Sequence, residues 1–181
     1  MLKKYYPYEY VKSVFAIDYQ KLYNAGFRAL IFDLDNTLVH HGEDSTPEVD
    51  ALFQELQQMG FKTFLLSNNN VSRIERFLKN IDCPYIPYAD KPKPQNYRKA
   101  VELLGVKKEQ AVYIGDQVYA DIYGANLCGI PSVLVEFMRK PEEKKIGIRR
   151  RVEQLLLFFY RSNKKYQFRL GGIQKEDAPN G

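Results

Sequence analysis

The sequence predicts an α/β protein built on a parallel sheet. Three observations carry that expectation: short apolar runs, amphipathic stretches of helical period between them, and carboxylates, hydroxyls or amides directly after the runs. Parallel strands buried on both faces read as unbroken apolar runs, and open α/β sheets place ligands outside the carboxyl ends of their strands. A chain of 181 residues with 45% hydrophobic content suits one domain with a full core and short extensions.

Residues 1–25 form a tyrosine-rich arm (Tyr5, Tyr6, Tyr8, Tyr10, Tyr19, Tyr23) with a helical turn expected at 19–24. The first strand, 28–32, ends in Asp33 and Asp35, one residue apart. Two acids at a strand end repel each other, and a hard cation such as Mg²⁺ would offset that and recruit a phosphate; an Asx turn built by Asp35 and Asn36 is the alternative reading. Thr46-Pro47-Glu48 then starts a helix, with Pro in the first turn after a Thr cap, Val49, Leu52, Phe53, Leu56 and Met59 at three-to-four spacing, and Gly60 as the stop.

A second strand, 61–66, runs into Ser67-Asn68-Asn69-Asn70 and a helix carrying Ile74, Phe77, Leu78 and Ile81, which makes a strand–helix–strand crossover. Pro84 and Pro87 leave room only for a short extended piece, since each removes a ladder donor. After Lys91-Pro92-Lys93-Pro94 a helix over 95–104 stops at Gly105. Strand 111–114 again ends in a carboxylate, Gly115-Asp116, and is followed by a helix with Ile122, Ala125 and Leu127 and a last strand over 132–135. Beyond Pro141, the stripe Ile148, Val152, Leu155, Leu156 and Phe159, widened by Leu157, Phe158 and Tyr160, predicts a basic amphipathic helix that docks on the sheet or meets a partner. Arg149, Arg150 and Arg151 crowd its start, where the helix dipole disfavours cations and an anion would relieve them. The division expected is an arm at 1–25, a domain at 26–165 and a flexible tail at 166–181.

The net charge of +5 is uneven. Residues 137–170 hold 11 Lys/Arg against 3 Glu, a local +8, which leaves −3 for the rest of the chain. Such a basic region suits a solvated face, an anionic membrane or RNA. Cys83 and Cys128 have no paired CxxC spacing, which argues against a disulfide framework or zinc site and for a reducing compartment. With no signal-like apolar core and no run of roughly 18 apolar residues, a cytoplasmic location, with peripheral membrane contact open, is the expectation.

Four strand-end or loop positions supply the parts of a phosphoryl-transfer site: the pair Asp33 and Asp35, the hydroxyl of Ser67, a lysine at 91 or 93, and the acids Asp116 and Asp121. Each alone has a structural explanation as turn former, helix cap or solvated loop; their joint order is harder to explain that way. A phosphorylation receiver uses similar parts in another order, with its lysine near the last strand, whereas here the lysine precedes Asp116.

In Asp33-Leu34-Asp35-Asn36-Thr37, Ser67, Lys91-Pro92 and Gly115-Asp116 through Asp121, the chain resembles the haloacid dehalogenase-like (HAD) superfamily, subfamily IIIA, YqeG type, over roughly residues 7–165. The resemblance implies a three-layer Rossmann-like parallel sheet. It further implies Asp33 as nucleophile forming an aspartyl-phosphate and Asp35 as general acid, then base. Mg²⁺ is implied at Asp33, the Asp35 carbonyl and Asp116, with Asp121 in support. Ser67 and Asn68 would hold phosphate oxygens and Lys91 would neutralise charge, with Lys93 as the fallback; Thr37 is expected as a loop hydrogen bonder. Ala120 stands where a Thr is familiar in the last motif. The 29 residues between Thr37 and Ser67, and the 23 between Ser67 and Lys91, leave no room for a cap domain. An open, capless site admits a bulky or lipid phosphomonoester, phosphatidylglycerophosphate among the substrates of similar proteins. His40 and His41 are candidates for its entrance. The competing class is a non-catalytic RNA- or partner-binding protein on the same scaffold. Oligomeric state is not legible.

Overall fold

The computed structural model describes residues 2–138 and 147–175. Its elements are β1 (Glu9–Val11), α1 (Tyr19–Asn24), β2 (Ala29–Phe32), α2 (Pro47–Gln58), β3 (Lys62–Leu66), α3 (Val71–Phe77), β4 (Tyr85–Ile86), α4 (Pro94–Leu104), β5 (Ala111–Gly115), α5 (Gly124–Cys128), β6 (Ser132–Val135) and α6 (Ile148–Arg161). The six strands form one sheet in the order β1-β6-β5-β2-β3-β4, and every pair is parallel.

The alternation of side chains along the strands divides the core into two layers. Leu30, Phe32, Leu65, Val112 and Ile114 face α2 and α3 through Val49, Phe53, Leu56, Ile74 and Phe77. Ala29, Ile31, Phe64, Leu66 and Tyr113 face α4 and α5 through Tyr97, Ala100, Leu104 and Ala125. Each fully buried Leu or Phe contributes about 1.5–3 kcal/mol relative to exposure. Thr46 Oγ1 accepts from the Val49 amide at 3.4 Å and Asn70 Oδ1 from the Arg73 amide at 2.8 Å, so both helices that follow β2 and β3 are capped by side chains.

Register fixes the site. Phe32 is level with Leu65 on one side and Ile114 on the other, so Asp33, Ser67 and Asp116 leave the sheet almost side by side. From β2 the chain builds outward through β3 and β4, then crosses to β5 and β6 on the other flank. The carboxyl end of β2 is therefore the topological switch point, where α/β sheets open a crevice.

Three local expectations need correction. The arm contributes an edge strand: β1 pairs with β6, and Glu9 is buried with its carboxylate accepting from the Leu170 and Gly172 amides at 3.1 and 2.9 Å. For the same reason residues 166–175 are not a loose tail. Ile173 is fully buried, its carbonyl accepts from the Asp18 amide at 2.6 Å, and Gln174 bridges Ile17 antiparallel; residues 176–181 lie outside the described residues. The helix after β5 opens as a π-helical turn, Val118–Tyr123, before α5, and this turn carries Asp121.

Candidate active site

Asp33 follows β2 directly, and its amide donates to the Ile114 carbonyl of β5 at 2.9 Å. Asp116 follows β5, and Asp121 turns back from the π-helical turn. The approach of Asp121 requires a glycine at 115, because a Cβ there would run into the Asp121 side chain. Carboxylate oxygens of Asp33, Asp116 and Asp121 lie within 4.8 Å of one another, and all three residues are buried. The Thr37 hydroxyl sits between two of them, 3.4 Å from Asp33 Oδ2 and 3.4 Å from Asp116 Oδ1.

Two cations partly meet this charge. Lys91 Nζ donates to Asp33 Oδ1 at 2.6 Å, Asp121 Oδ1 at 2.7 Å and the Tyr113 hydroxyl at 3.0 Å. Burial alone would lower the lysine, but the Asp121 and Asp33 carboxylates hold its pKa above the ordinary value. Of the two candidate lysines Lys91 reaches the acid cluster, whereas Lys93 is exposed and pairs with Asp90. On the other side Arg150 of α6 contacts the Asp116 carboxylate through Nη2, while its Nη1 donates to the Asp116 carbonyl at 2.8 Å and to Glu153 Oε2 at 2.9 Å. Of the three arginines that crowd the α6 start, Arg150 thus finds its anion within the chain.

Burial pushes Asp33 up to about 6, with Lys91 opposing the rise, and pushes Asp116 up to about 8, helped by the neighbouring Asp121 and Asp33. Three buried acids with charge only partly compensated form an all-oxygen donor set that fits a hard divalent cation. Asp121 has the least freedom to serve as a ligand. Its Oδ1 accepts from Lys91 and from the Tyr113 hydroxyl, and its Oδ2 from the Gln117 amide at 2.9 Å.

The Asp35 side chain is engaged elsewhere. It accepts from Arg73 Nη2 at 2.8 Å, Asn69 Nδ2 at 3.0 Å and the Gly42 amide at 3.2 Å, and His41 Nδ1 lies 3.0 Å from it. Burial would raise this carboxylate, but the hydrogen bonds from Asn69 and Arg73 outweigh it and hold the group below its usual range. Asp33, Asp35, Ser67, Asn68 and Lys91 nevertheless line one cavity of about 220 Å³, together with His41 and Gln117. Ser67 Oγ accepts from the Asn69 amide and side chain, and Asn68 Oδ1 accepts from the Lys91 amide at 2.9 Å, tying the lysine loop to β3. His40 turns away, its Nδ1 3.3 Å from the Met138 carbonyl.

Tyr113, Arg73 and the Asp116 contact of Arg150 were not foreseen. A tyrosine inside the buried run Ala-Val-Tyr-Ile was a usable signal, because a buried hydroxyl seeks a partner. Arg73 looks like any basic residue on a helix surface, and only the fold turns it toward Asp35.

Comparison with known proteins agrees with this geometry. Residues 42–129 match the family model for haloacid dehalogenase-like hydrolases. The chain is 36% identical over 159 residues to a probable phosphatase, YqeG, of Bacillus subtilis (strain 168), covering 87% of this chain and 92% of the relative. It is 31% identical over 98 residues to a glyceraldehyde 3-phosphate phosphatase of Methanopyrus kandleri, covering 49% of this chain and 42% of that protein. In fold it is similar to a HAD phosphatase from Thermococcus onnurineus, with a TM-score of 0.52 at 16% identity over 67% of this chain and 90% of the other. The chain belongs to the haloacid dehalogenase-like hydrolases, as a phosphatase of that family.

Proposed function

We propose that the protein is a Mg²⁺-dependent phosphatase that hydrolyses a phosphomonoester through an aspartyl-phosphate on Asp33. The observation that carries this reading is the meeting of Asp33, Asp116 and Asp121 with Lys91 at the switch point of the sheet. Mg²⁺ would be held by Asp33, Asp116 and the Asp35 carbonyl, with Asp121 orienting from behind, and it supplies positive charge to the phosphoryl oxygens when bound.

In this reading an Asp33 carboxylate oxygen attacks phosphorus while the bond to the leaving oxygen breaks. Asp35 gives that oxygen its proton, a step that works against the Arg73 and Asn69 hydrogen bonds favouring its ionised form. Then, in the ionised form those bonds favour, it takes one from the water that attacks the aspartyl-phosphate, releasing inorganic phosphate and Asp33. Arg73 and Asn69 orient the Asp35 carboxylate. Lys91 fixes the Asp33 side chain and offsets charge on the transferred group, and the Ser67 hydroxyl and the Asn68 backbone receive phosphate oxygens. Little covalent work falls to the protein, so placement and charge dominate.

The substrate class favoured is a phosphate on a bulky or lipid alcohol, phosphatidylglycerophosphate among the candidates. Its support is a slot of about 850 Å³ that shares Asn68, Lys91 and Gln117 with the phosphate cavity and is walled by Tyr5, Tyr119, Ile148, Val152 and Leu156, with Arg149 and Arg150 beside them. Two free buried cysteines fit the cytoplasm as its location. The test is a panel of aryl, triose, nucleotide, peptide and lipid phosphates, with and without Mg²⁺. Metal-dependent phosphate release, highest on substrates with an apolar alcohol, is expected. No release from any member, or undiminished release in chelator, would overturn the reading.

A further inference from the structure

Helix α6 uses one face against the body of the protein. Glu153 and Tyr160 are buried, Leu156 and Leu157 are half-buried, and Glu153 Oε1 accepts from the Val118 amide at 2.9 Å. The opposite face is apolar and open: Ile148 is 79% exposed, Val152 54%, Leu155 56%, Phe158 64% and Phe159 43%. Ile148, Val152, Leu155 and Phe159 follow the spacing of one helical stripe, and the Phe158 ring lies against that of Phe159. Single exposed apolar residues are ordinary, whereas five large ones on one helix form a patch that marks an interaction site. On the same stretch Arg149, Arg151, Lys164 and Lys165 are exposed, Arg161 is exposed too but turns its guanidinium over the Tyr10 ring, and the one acid between 148 and 165, Glu153, is buried.

Charge decides what covers this face. A second copy of the chain, docked through the same patch on a two-fold axis, would set the cations of one helix against those of the other. RNA would meet the cations but leave aliphatic side chains without a stacking partner. Of the chain outside the described residues, 139–146 contains one large apolar residue, Ile146, and 176–181 contains none. We propose that the exposed face of α6 docks on an anionic lipid bilayer, the helix lying in the plane of the interface with its apolar stripe at the acyl boundary and its cations at lipid phosphates. Binding of this kind is reversible, and among the described residues no helix is long and apolar enough to span the bilayer. Ile148 and Val152 belong both to the stripe and to the slot wall, so docking brings the slot against the lipid. The proposal needs no turnover and stands whether or not a lipid is the substrate.

The test is sedimentation of the full chain with phosphatidylcholine vesicles, with and without roughly a third of phosphatidylglycerol, where each surface cation favours the anionic vesicle about fivefold. Expected are binding to the anionic vesicles, weakening with salt, and a loss of at least about tenfold in the variant Phe158→Ser/Phe159→Ser with circular dichroism unchanged. Absence of wild-type binding overturns the proposal. So does equal binding by the variant, which would leave only charge at work, and so does a wild-type dimer that the two substitutions dissociate, which would make a second copy the occupant.

Discussion

Lys91 Nζ lies 2.6 Å from Asp33 Oδ1, and it reaches that position across 58 residues of chain because the loop after β4 that carries it is tied through its amide to Asn68, just past the end of β3, the strand beside β2. The same nitrogen holds Asp121, so one ammonium ties the first acid of the site to the last.

Lys91→Ala should remove the protein's own compensation for two buried carboxylates. Breaking a buried charge pair costs about 3–5 kcal/mol of stability, and turnover should fall by at least about 10³-fold. Lys93→Ala, at an exposed pair, should stay within about 0.5 kcal/mol of the wild type and keep its activity. Denaturant melts and aryl phosphate hydrolysis measure both.

Asp33→Asn should lose at least about 10³-fold in turnover while melting as a folded protein. The amide retains the shape of the side chain but not its nucleophilic charge. Hydrolysis by this variant above background would require a different nucleophile.

Arg150→Ala leaves Asp116 without its guanidinium. Because Arg150 is partly exposed, the stability loss should be about 1–3 kcal/mol rather than that of a fully buried pair. With less cationic charge opposing it, the rise in melting temperature on adding Mg²⁺ should be larger in the variant than in the wild type. Thermal scans of both proteins with and without the ion check this.

Asp33 at about 6 and Asp116 at about 8 both hold protons that the unfolded chain, with its ordinary value of 3.8, has already released. Their contribution to metal-free stability is therefore present below that ordinary value and lost as the pH rises through the two raised values. Mg²⁺ needs the ionised acids, so it competes with protons. The melting temperature of the metal-free protein should fall from about pH 4 to about pH 8, most steeply below about 6 where both acids hold protons only in the folded chain, and the increment from Mg²⁺ should grow over the same range.

What the sequence made legible follows from physics local to a few residues. The apolar runs before Asp33, Ser67 and Asp116 had to be strands, and Thr46-Pro47 and Gly105 had to bound helices, because their backbone chemistry acts within a turn. The acids announced themselves by ending buried runs. Contacts set by docking stayed hidden: Arg73 meets Asp35 across 38 residues and Arg150 meets Asp116 across 34. The strand at Glu9–Val11 was hidden too, being three residues long, paired with distant β6 and fixed through the Glu9 carboxylate to the Gly172 amide 163 residues away. The exposed face of α6 was visible as an apolar stripe, but which part of that stripe faced the protein depended on Arg150 and Glu153.

The central claim is that Asp33 carries the phosphoryl group. The direct measurement is borohydride reduction of an acid-quenched reaction with Mg²⁺, followed by mass spectrometry of the peptide that contains residue 33. The account predicts homoserine at position 33 in the reaction with substrate and aspartate without it. Unmodified Asp33 under conditions of continuing turnover, or reduction at another acid, would contradict it.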